Sequence, residues 1–147
     1  SQGTYKKILI VSADRGTRGR NFDEPESAAL LGDAAHPMLP DQTQGYCQAV
    51  EDAAALGFVF SEKYFQVNEG QNLQTVIGRA LQRYERVRMK RAAAVQDAAV
   101  RAREDLRERI GWAAEGAKPG KLTVEDISGY DMEAHLAEVV ARETKVI

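Results

Sequence analysis

The sequence predicts a mainly α-helical chain with one or two short β-strands near its amino terminus. Residues 45–64 and 73–110 carry apolar side chains at helical spacing. Residues 5–11 form a short run rich in β-branched side chains that ends in a turn, which is typical of one strand. The continuous apolar run 28–31 has the length of a second, buried strand.

Composition and charge exclude several classes of protein. The chain has 147 residues, a formal net charge of -2 and 44% hydrophobic residues, so it has no general attraction to nucleic acid or anionic membrane. No apolar run is long enough for a membrane-spanning helix, and no secretory leader is recognised. The single cysteine, Cys47, forms no internal disulfide, and the two histidines lack zinc-ligand spacing. We therefore expect a cytoplasmic protein without a metal site.

The two long helical patterns make different predictions. In the first, Glu51 and Asp52 fall on the side opposite to the apolar positions, which include Cys47, Val50, Ala53 and Ala54. The second has no Gly or Pro from residue 79 to residue 110. A helix of about 35 residues would span roughly 50 Å, so we expect it to kink or to protrude.

Shorter signals indicate two more helices near the carboxyl terminus. Residues 123–126 have the spacing of a capping box at the start of a short helix. Residues 131–141 are typical of a last helix, and its predicted buried face consists of Met132, Leu136, Val139 and Val140.

Charge is distributed unevenly along the chain. Residues 21–70 contain nine acids and one base, whereas residues 79–110 contain ten bases and five acids. We expect one segment to fold back on the other, so that Glu51 and Asp52 pair with bases of the long helix. The basic cluster 83–91 could instead contact RNA or a nucleotide phosphate.

A glycine–aspartate pair and a helix start are the candidate ligand-binding elements. Gly32 has no Cβ and would allow a ligand to approach closely, and the Asp33 carboxylate can accept hydrogen bonds from sugar-like hydroxyls. A helix that begins at Gly45 offers unpaired N–H groups and the positive end of its dipole. Pro37 and Pro40 would stiffen the loop between them. Taken alone, the Gly–Asp pair is more typical of a simple turn than of a ligand-binding site.

Residues 30–40, 44–45 and 49–57 closely resemble the second flavin-contacting motif of the FAD-dependent aromatic-ring monooxygenases, particularly the salicylate hydroxylase-like branch. Residues 81–92 are similar to the arginine-rich helix of that family, and residues 128–131 to its terminal aromatic–aspartate element. The resemblance implies that the chain is the carboxy-terminal part of the α/β FAD-binding monooxygenase fold, with residues 28–147 as the FAD-motif and helical region.

The resemblance also implies a cofactor and its binding residues. In the family, the aspartate at the position of Asp33 binds the ribityl chain of FAD. The flavin-contacting positions correspond here to Gly32, Asp33, Pro40, Gln44 and Gly45. NAD(P)H and O2 are the implied co-substrates, and a small aromatic compound is the implied substrate.

The chain departs from the family pattern in three places. No Gly-x-Gly-x-x-Gly turn of a dinucleotide-binding βαβ unit is present, and residues 1–27 remain unassigned. Within the motif, Thr43 stands where the family usually has Gly or Ala, and Asp41 stands where an aromatic residue is frequent.

Two interpretations follow. The chain is either the carboxy-terminal part of a monooxygenase that works with a complementing nucleotide-binding portion, or a helical interaction or scaffold protein derived from that family. Uncovered strand and helix surfaces would also favour self-association.

His36 and Cys47 are of residue types that can act in catalysis, but each also has a purely structural interpretation. His36 could be a catalytic base, but beside Pro37 we expect it to make a structural hydrogen bond. Cys47 could be a nucleophile, but with no histidine near it in sequence we expect a small core residue. The catalytic residues are not identified.

Overall fold

The computed structural model describes residues 28–112, 115 and 118–144. This part of the chain contains four helices: α1 (Gln44–Val59), α2 (Leu73–Glu104), α3 (Val124–Ser128) and α4 (Met132–Thr144). It also contains three single 3₁₀ turns: Gly32–Ala34, Pro40–Gln42 and Leu106–Glu108. The mainly helical prediction is therefore confirmed for these residues, and the predicted strand 5–11 lies outside them.

The predicted strand at residues 28–31 is wrong. Leu31 has extended backbone angles, φ -135° and ψ 156°, but the described ranges contain no strand with which this segment could pair. A strand requires a hydrogen-bonded neighbour. Here the carbonyl of Leu30 instead accepts a hydrogen bond from the Tyr84 hydroxyl of α2, at 3.1 Å.

Helix α2 is the longest element and the support for the others. It begins where the Asn72 side chain accepts a hydrogen bond from the Gln74 N–H at 2.8 Å. Its 32 residues span about 48 Å. It ends at Glu104, six residues before the predicted end at residue 110, because Asp105 turns extended and its carboxylate caps the next 3₁₀ turn. Buried positions extend from Val76 to Ala102, so other elements cover one face for nearly its whole length.

The hydrophobic core lies where α1, α2 and α4 meet. Its buried members are Ala55, Val59, Ala80, Tyr84, Val87, Met132, Leu136 and Val139. Burial of each larger apolar side chain stabilises the fold by about 1.5–3 kcal/mol. Toward the carboxyl end of α2 the buried residues become small, which lets the chain around the Pro40–Gln42 turn approach the helix closely.

The buried face of α1 differs from the prediction. Gln48, Asp52, Ala55 and Val59 are buried at spacings of four, three and four residues, whereas Val50 is 51% exposed. Cys47 is exposed, so its expected place in the core is wrong. The helix also ends at Val59 rather than near residue 64.

The two carboxy-terminal helices follow the sequence signals closely. The Thr123 hydroxyl accepts from the Asp126 N–H at 3.2 Å, and the Asp126 carboxylate accepts from the Thr123 N–H at 2.8 Å, which confirms the capping box. Met132, Leu136 and Val139 of α4 are buried as predicted, and Val140 packs against the core.

Candidate functional site

The glycine–aspartate pair lies in a tight turn that packs against α1. Gly32 is buried and has a φ of 54°, a region that side-chain-bearing residues rarely adopt. Its carbonyl accepts from the N–H groups of both Ala35 and His36, each at 2.9 Å. Asp33 is exposed, and its carboxylate makes no hydrogen bond or ion pair to any residue that the structure describes. Within the described part of the chain, the turn thus presents the Asp33 carboxylate to solvent without a partner.

The buried carboxylate of Asp52 in α1 forms hydrogen bonds to both ends of this turn. Its Oδ2 atom accepts from the Gly32 N–H at 2.8 Å and lies 2.6 Å from His36 Nε2. Its Oδ1 atom accepts from Arg88 Nε of α2 at 2.8 Å. Asp52, His36 and Arg88 are 0%, 2% and 0% exposed. The structural hydrogen bond expected of His36 is therefore confirmed, with Asp52 as its partner.

Arg88 and Arg91 join α2 to the acidic side of α1. Arg88 donates to Glu51 at 2.5 Å and to the Gln48 side chain at 2.7 Å, in addition to Asp52. Arg91 pairs with Glu51 at 3.1 Å and donates to the carbonyls of Asp126 and Ile127 at the end of α3. The expected pairing of Glu51 and Asp52 with the long helix is confirmed. These two bases of the cluster are occupied by protein contacts.

Burial and the neighbouring charged groups shift the pKa values of the Asp52 and Glu51 carboxyls in opposite directions. Burial raises the pKa of the Asp52 carboxyl, but hydrogen bonds from His36, Arg88 and Gly32 outweigh it and leave the pKa below its usual value. Burial likewise raises the pKa of Glu51, and Arg91 and Arg88 lower it further than burial raises it. Both groups are therefore carboxylates at neutral pH, as the paired arginines require.

Two more bases of the cluster, Arg83 and Arg86, pair with the carboxyl end of α4. Arg83 Nε and Arg86 Nη1 both donate to Glu143, at 2.9 and 2.7 Å. Arg83 also donates to the carbonyl of Tyr64 at 3.0 Å. These contacts favour the prediction that the cluster serves intramolecular pairing, although Glu143 lies outside the acidic segment that the sequence indicated.

The amino terminus of α1 lies beside the Asp33 carboxylate. A Cβ added to Gly45 would be 3.6 Å from Asp33 Oδ1. Thr43 precedes the helix at a φ of 54°, and its hydroxyl donates to the Gln42 carbonyl at 2.7 Å instead of capping a helical N–H. The first turn has no acidic side chain. Gln44 Oε1 is buried and has no hydrogen-bond partner among the described residues. The helix start therefore keeps its amide donors free of side-chain caps.

The proline loop is fixed to α2 by two glutamines. Gln96 donates to the Pro37 carbonyl at 2.7 Å, and Gln42 donates to the Ala98 carbonyl at 2.9 Å. Pro40 is exposed and opens the 3₁₀ turn that leads into Thr43 and α1. A groove of about 570 Å³ lies between this loop and the carboxyl end of α2.

The structure brings most of the predicted site residues together. Gly32, Asp33 and Gly45 are adjacent in space, Gln44 precedes Gly45, and Pro40 joins them through its turn. The sequence interpretation missed Asp52, which it placed on the side of α1 away from the core. The spacing of Gln48, Asp52, Ala55 and Val59 was the available signal, because it continues the core face of α1 through two polar residues.

This site suits the flavin-binding role that the resemblance implies. A polyol chain needs exposed acceptors, which the unpaired Asp33 carboxylate provides. An electron-rich ring edge needs donors and positive potential, which the uncapped start of α1 provides. Gly45 leaves this space free of a side chain. The residues present therefore fit the ribityl chain and pyrimidine edge of FAD.

Sequence comparisons give the class of protein. The chain is 48% identical over 65 residues to the aurachin C monooxygenase/isomerase of Stigmatella aurantiaca, which covers 44% of this chain and 14% of that protein. It is 41% identical over 110 residues to the FAD-dependent monooxygenase ntnJ of Nectria sp., which covers 70% and 24%. It is 40% identical over 67 residues to the 3-hydroxybenzoate 6-hydroxylase 1 of Aquipseudomonas alcaligenes, which covers 46% and 14%.

The chain is therefore a relative of the FAD-dependent monooxygenases over the matched residues. It spans less than a quarter of the length of these relatives, so it corresponds to a segment of them. No protein-family model matches the chain, and no solved structure matches it either. None of the helices in residues 28–112 and 118–144 is long and apolar enough to cross a membrane.

Proposed function

We propose that this chain is the part of an FAD-dependent aromatic-ring monooxygenase that holds the ribityl chain and the pyrimidine edge of the flavin. The observation that carries the proposal is the unpaired, exposed Asp33 carboxylate beside the uncapped start of α1. The similarity of the chain to known FAD-dependent monooxygenases supports the same cofactor.

Each predicted site residue has a role in this proposal. Asp33 accepts hydrogen bonds from the ribityl hydroxyls, and the N–H groups of Gln44 and Gly45 face the negatively charged pyrimidine edge. Gly32 gives the turn its positive φ, and Pro40 restricts the loop beside the ring. When bound, FAD takes electrons from NAD(P)H and activates O2 for hydroxylation of a small aromatic substrate.

The proposal extends to what the chain works with. A nucleotide-binding portion, supplied by the same polypeptide or by a partner, holds the adenosine half of FAD. The apolar outer face of α1, with Tyr46 80% and Val50 51% exposed, is a surface on which such a portion or a second copy could pack. A cytoplasmic location fits the supply of NAD(P)H.

The same outer face also supports the second candidate function, a helical interaction or scaffold protein that has lost its cofactor. The buried core and the arginine–carboxylate network would serve either function, since both hold the helices together. The two candidates differ in one property, which is whether the chain binds FAD at the Asp33 turn.

FAD titration of the purified chain, followed by quenching of flavin fluorescence, tests the proposal. We expect saturable binding that Asp33→Ala weakens about tenfold or more, because a charge-assisted hydrogen bond contributes about 1.5–3 kcal/mol. The matched control is Asp97→Ala, which removes an exposed carboxylate on α2 and should leave the affinity unchanged. Equal affinity in Asp33→Ala would contradict flavin binding at the Asp33 turn. Absence of saturable binding would mean that the chain either needs the nucleotide-binding portion to hold FAD or is a scaffold.

A further inference from the structure

The Gly32–His36 turn is attached at both of its ends to one carboxylate oxygen. Asp52 Oδ2 accepts from the Gly32 N–H at 2.8 Å and from His36 Nε2 at 2.6 Å. The Gly32 carbonyl is occupied as well, by the N–H groups of Ala35 and His36. Both peptide polar groups of Gly32 are thus fixed, and with them the direction in which the next residue, Asp33, leaves the turn.

This attachment has features that a simple stabilising ion pair does not need. Asp52 is fully buried on α1, and it meets a backbone N–H whose residue has a φ of 54°. Such a backbone conformation persists only where surrounding contacts fix it. Arg88 supplies the positive charge that allows a carboxylate to be buried at this point. The network therefore joins the conformation of the turn to the packing of α1 on α2.

We infer that Asp52 is a positioning residue, which through Gly32 and His36 holds the turn in the geometry that presents Asp33 to the ribityl hydroxyls of FAD. The inference rests on the proposed flavin site and adds to it a group that does not touch the cofactor. Asp52 is accordingly expected to govern how well Asp33 binds, rather than to bind anything itself.

Glu51 provides a matched control in the same network. It is adjacent to Asp52 in sequence and pairs with Arg88 and Arg91, but it makes no hydrogen bond or ion pair to the described residues of the Gly32–His36 turn. Loss of either carboxylate weakens the packing of α1 on α2. Only loss of Asp52 releases the Gly32 N–H. The comparison of Asp52→Asn with Glu51→Gln therefore separates positioning from stability.

The first measurement is amide hydrogen exchange of the full chain without FAD. We expect the Gly32 amide to exchange at least about tenfold faster in Asp52→Asn, because one amide oxygen cannot replace two carboxylate oxygens that together accept from three donors. Glu51→Gln should leave Gly32 exchange near the wild-type rate. Unchanged Gly32 exchange in Asp52→Asn would overturn the inference, and so would equal acceleration in both variants.

The second measurement is a double-mutant cycle on FAD affinity. Asp52→Asn should raise the Kd for FAD about tenfold in the wild-type background and change it little in the Asp33→Ala background, because its effect passes through Asp33. An equal effect in both backgrounds would overturn positioning in favour of a general loss of stability. If Asp33→Ala itself binds FAD normally, the proposed function fails, and the exchange of Gly32 still decides whether Asp52 holds the turn.

A third variant covers the case in which Asp52→Asn does not fold, as judged by its helical circular dichroism. His36→Ala keeps the Asp52–Arg88 pair and removes only the second attachment of the turn. The Ala35 amide, which donates to Gly32, should then exchange faster while amides in the middle of α2 do not. Exchange at the wild-type rate in the turn would overturn the inference here too.

Discussion

Replacement of Arg88 by methionine should destabilise the protein more than replacement of any other ion-paired residue in the described helices. Arg88 is 0% exposed and donates to Asp52, Glu51 and Gln48. Methionine fills much of the volume, but it leaves the fully buried Asp52 carboxylate without its cation. Removal of one partner of a buried pair costs about 3–5 kcal/mol, because the remaining charge is uncompensated.

Urea unfolding followed by circular dichroism at 222 nm measures this cost. For a chain of this size, about 3–5 kcal/mol also corresponds to a fall in Tm of roughly 6–20 °C. The control is Arg86→Met, which removes a half-exposed partner of Glu143 and should cost about 1 kcal/mol or less. If Asp52→Asn is added to Arg88→Met, part of the stability should return, since the buried charge is then absent. A cost below about 1 kcal/mol for Arg88→Met would refute the reasoning.

Three further predictions concern individual residues. Gly45→Ala should raise the stability of the free chain by about 0.5–1 kcal/mol in thermal melts, since the new Cβ makes an ordinary contact at 3.6 Å from Asp33, yet it should weaken FAD binding in titrations. Cys47 should react stoichiometrically with a thiol reagent in the native protein, and protection until unfolding would contradict its exposure. The pKa values of Asp52 and Glu51 are lowered in the folded protein from their unfolded values of 3.8 and 4.5. Their contribution to the free energy of unfolding is therefore complete above these unfolded pKa values and is lost as the pH falls through the folded pKa values. Urea midpoints that stay constant below pH 4.5 would contradict this prediction.

Local patterns in the sequence were sufficient for the helices. Helical spacing predicted α1 and α2, and the capping box at Thr123 predicted the start of α3. These signals depend on residues within one or two turns of each other, so they can be recognised without the fold. The end of α2 was misplaced because Asp105 caps the following turn, and such a cap competes with helix continuation through a few local hydrogen bonds.

The partner of each charged group was predictable only in part. The opposite charges of the two segments indicated that Glu51 and Asp52 would meet the long helix, and Arg88 and Arg91 are the residues they meet. That Asp52 is wholly buried was not predicted, because an aspartate beside alanines is usually exposed to solvent. The free-energy cost of burying the Asp52 carboxylate is offset by three hydrogen-bond donors from two separate segments: Gly32, His36 and Arg88. None of these donors is near Asp52 in sequence.

The sequence by itself determined the four helices, the attraction between the acidic and basic segments, and the kinship with the FAD-dependent monooxygenases, because each depends on residue types at fixed local spacing. Only the tertiary structure decided which face of α1 is buried, that residues 28–31 form no strand in the described part of the chain, and that Cys47 is exposed. The physical reason is the same in each case. Whether a residue is buried or pairs in a strand depends on which distant elements pack against it. In the same way, the candidate flavin site exists because the fold places Asp33 beside Gly45.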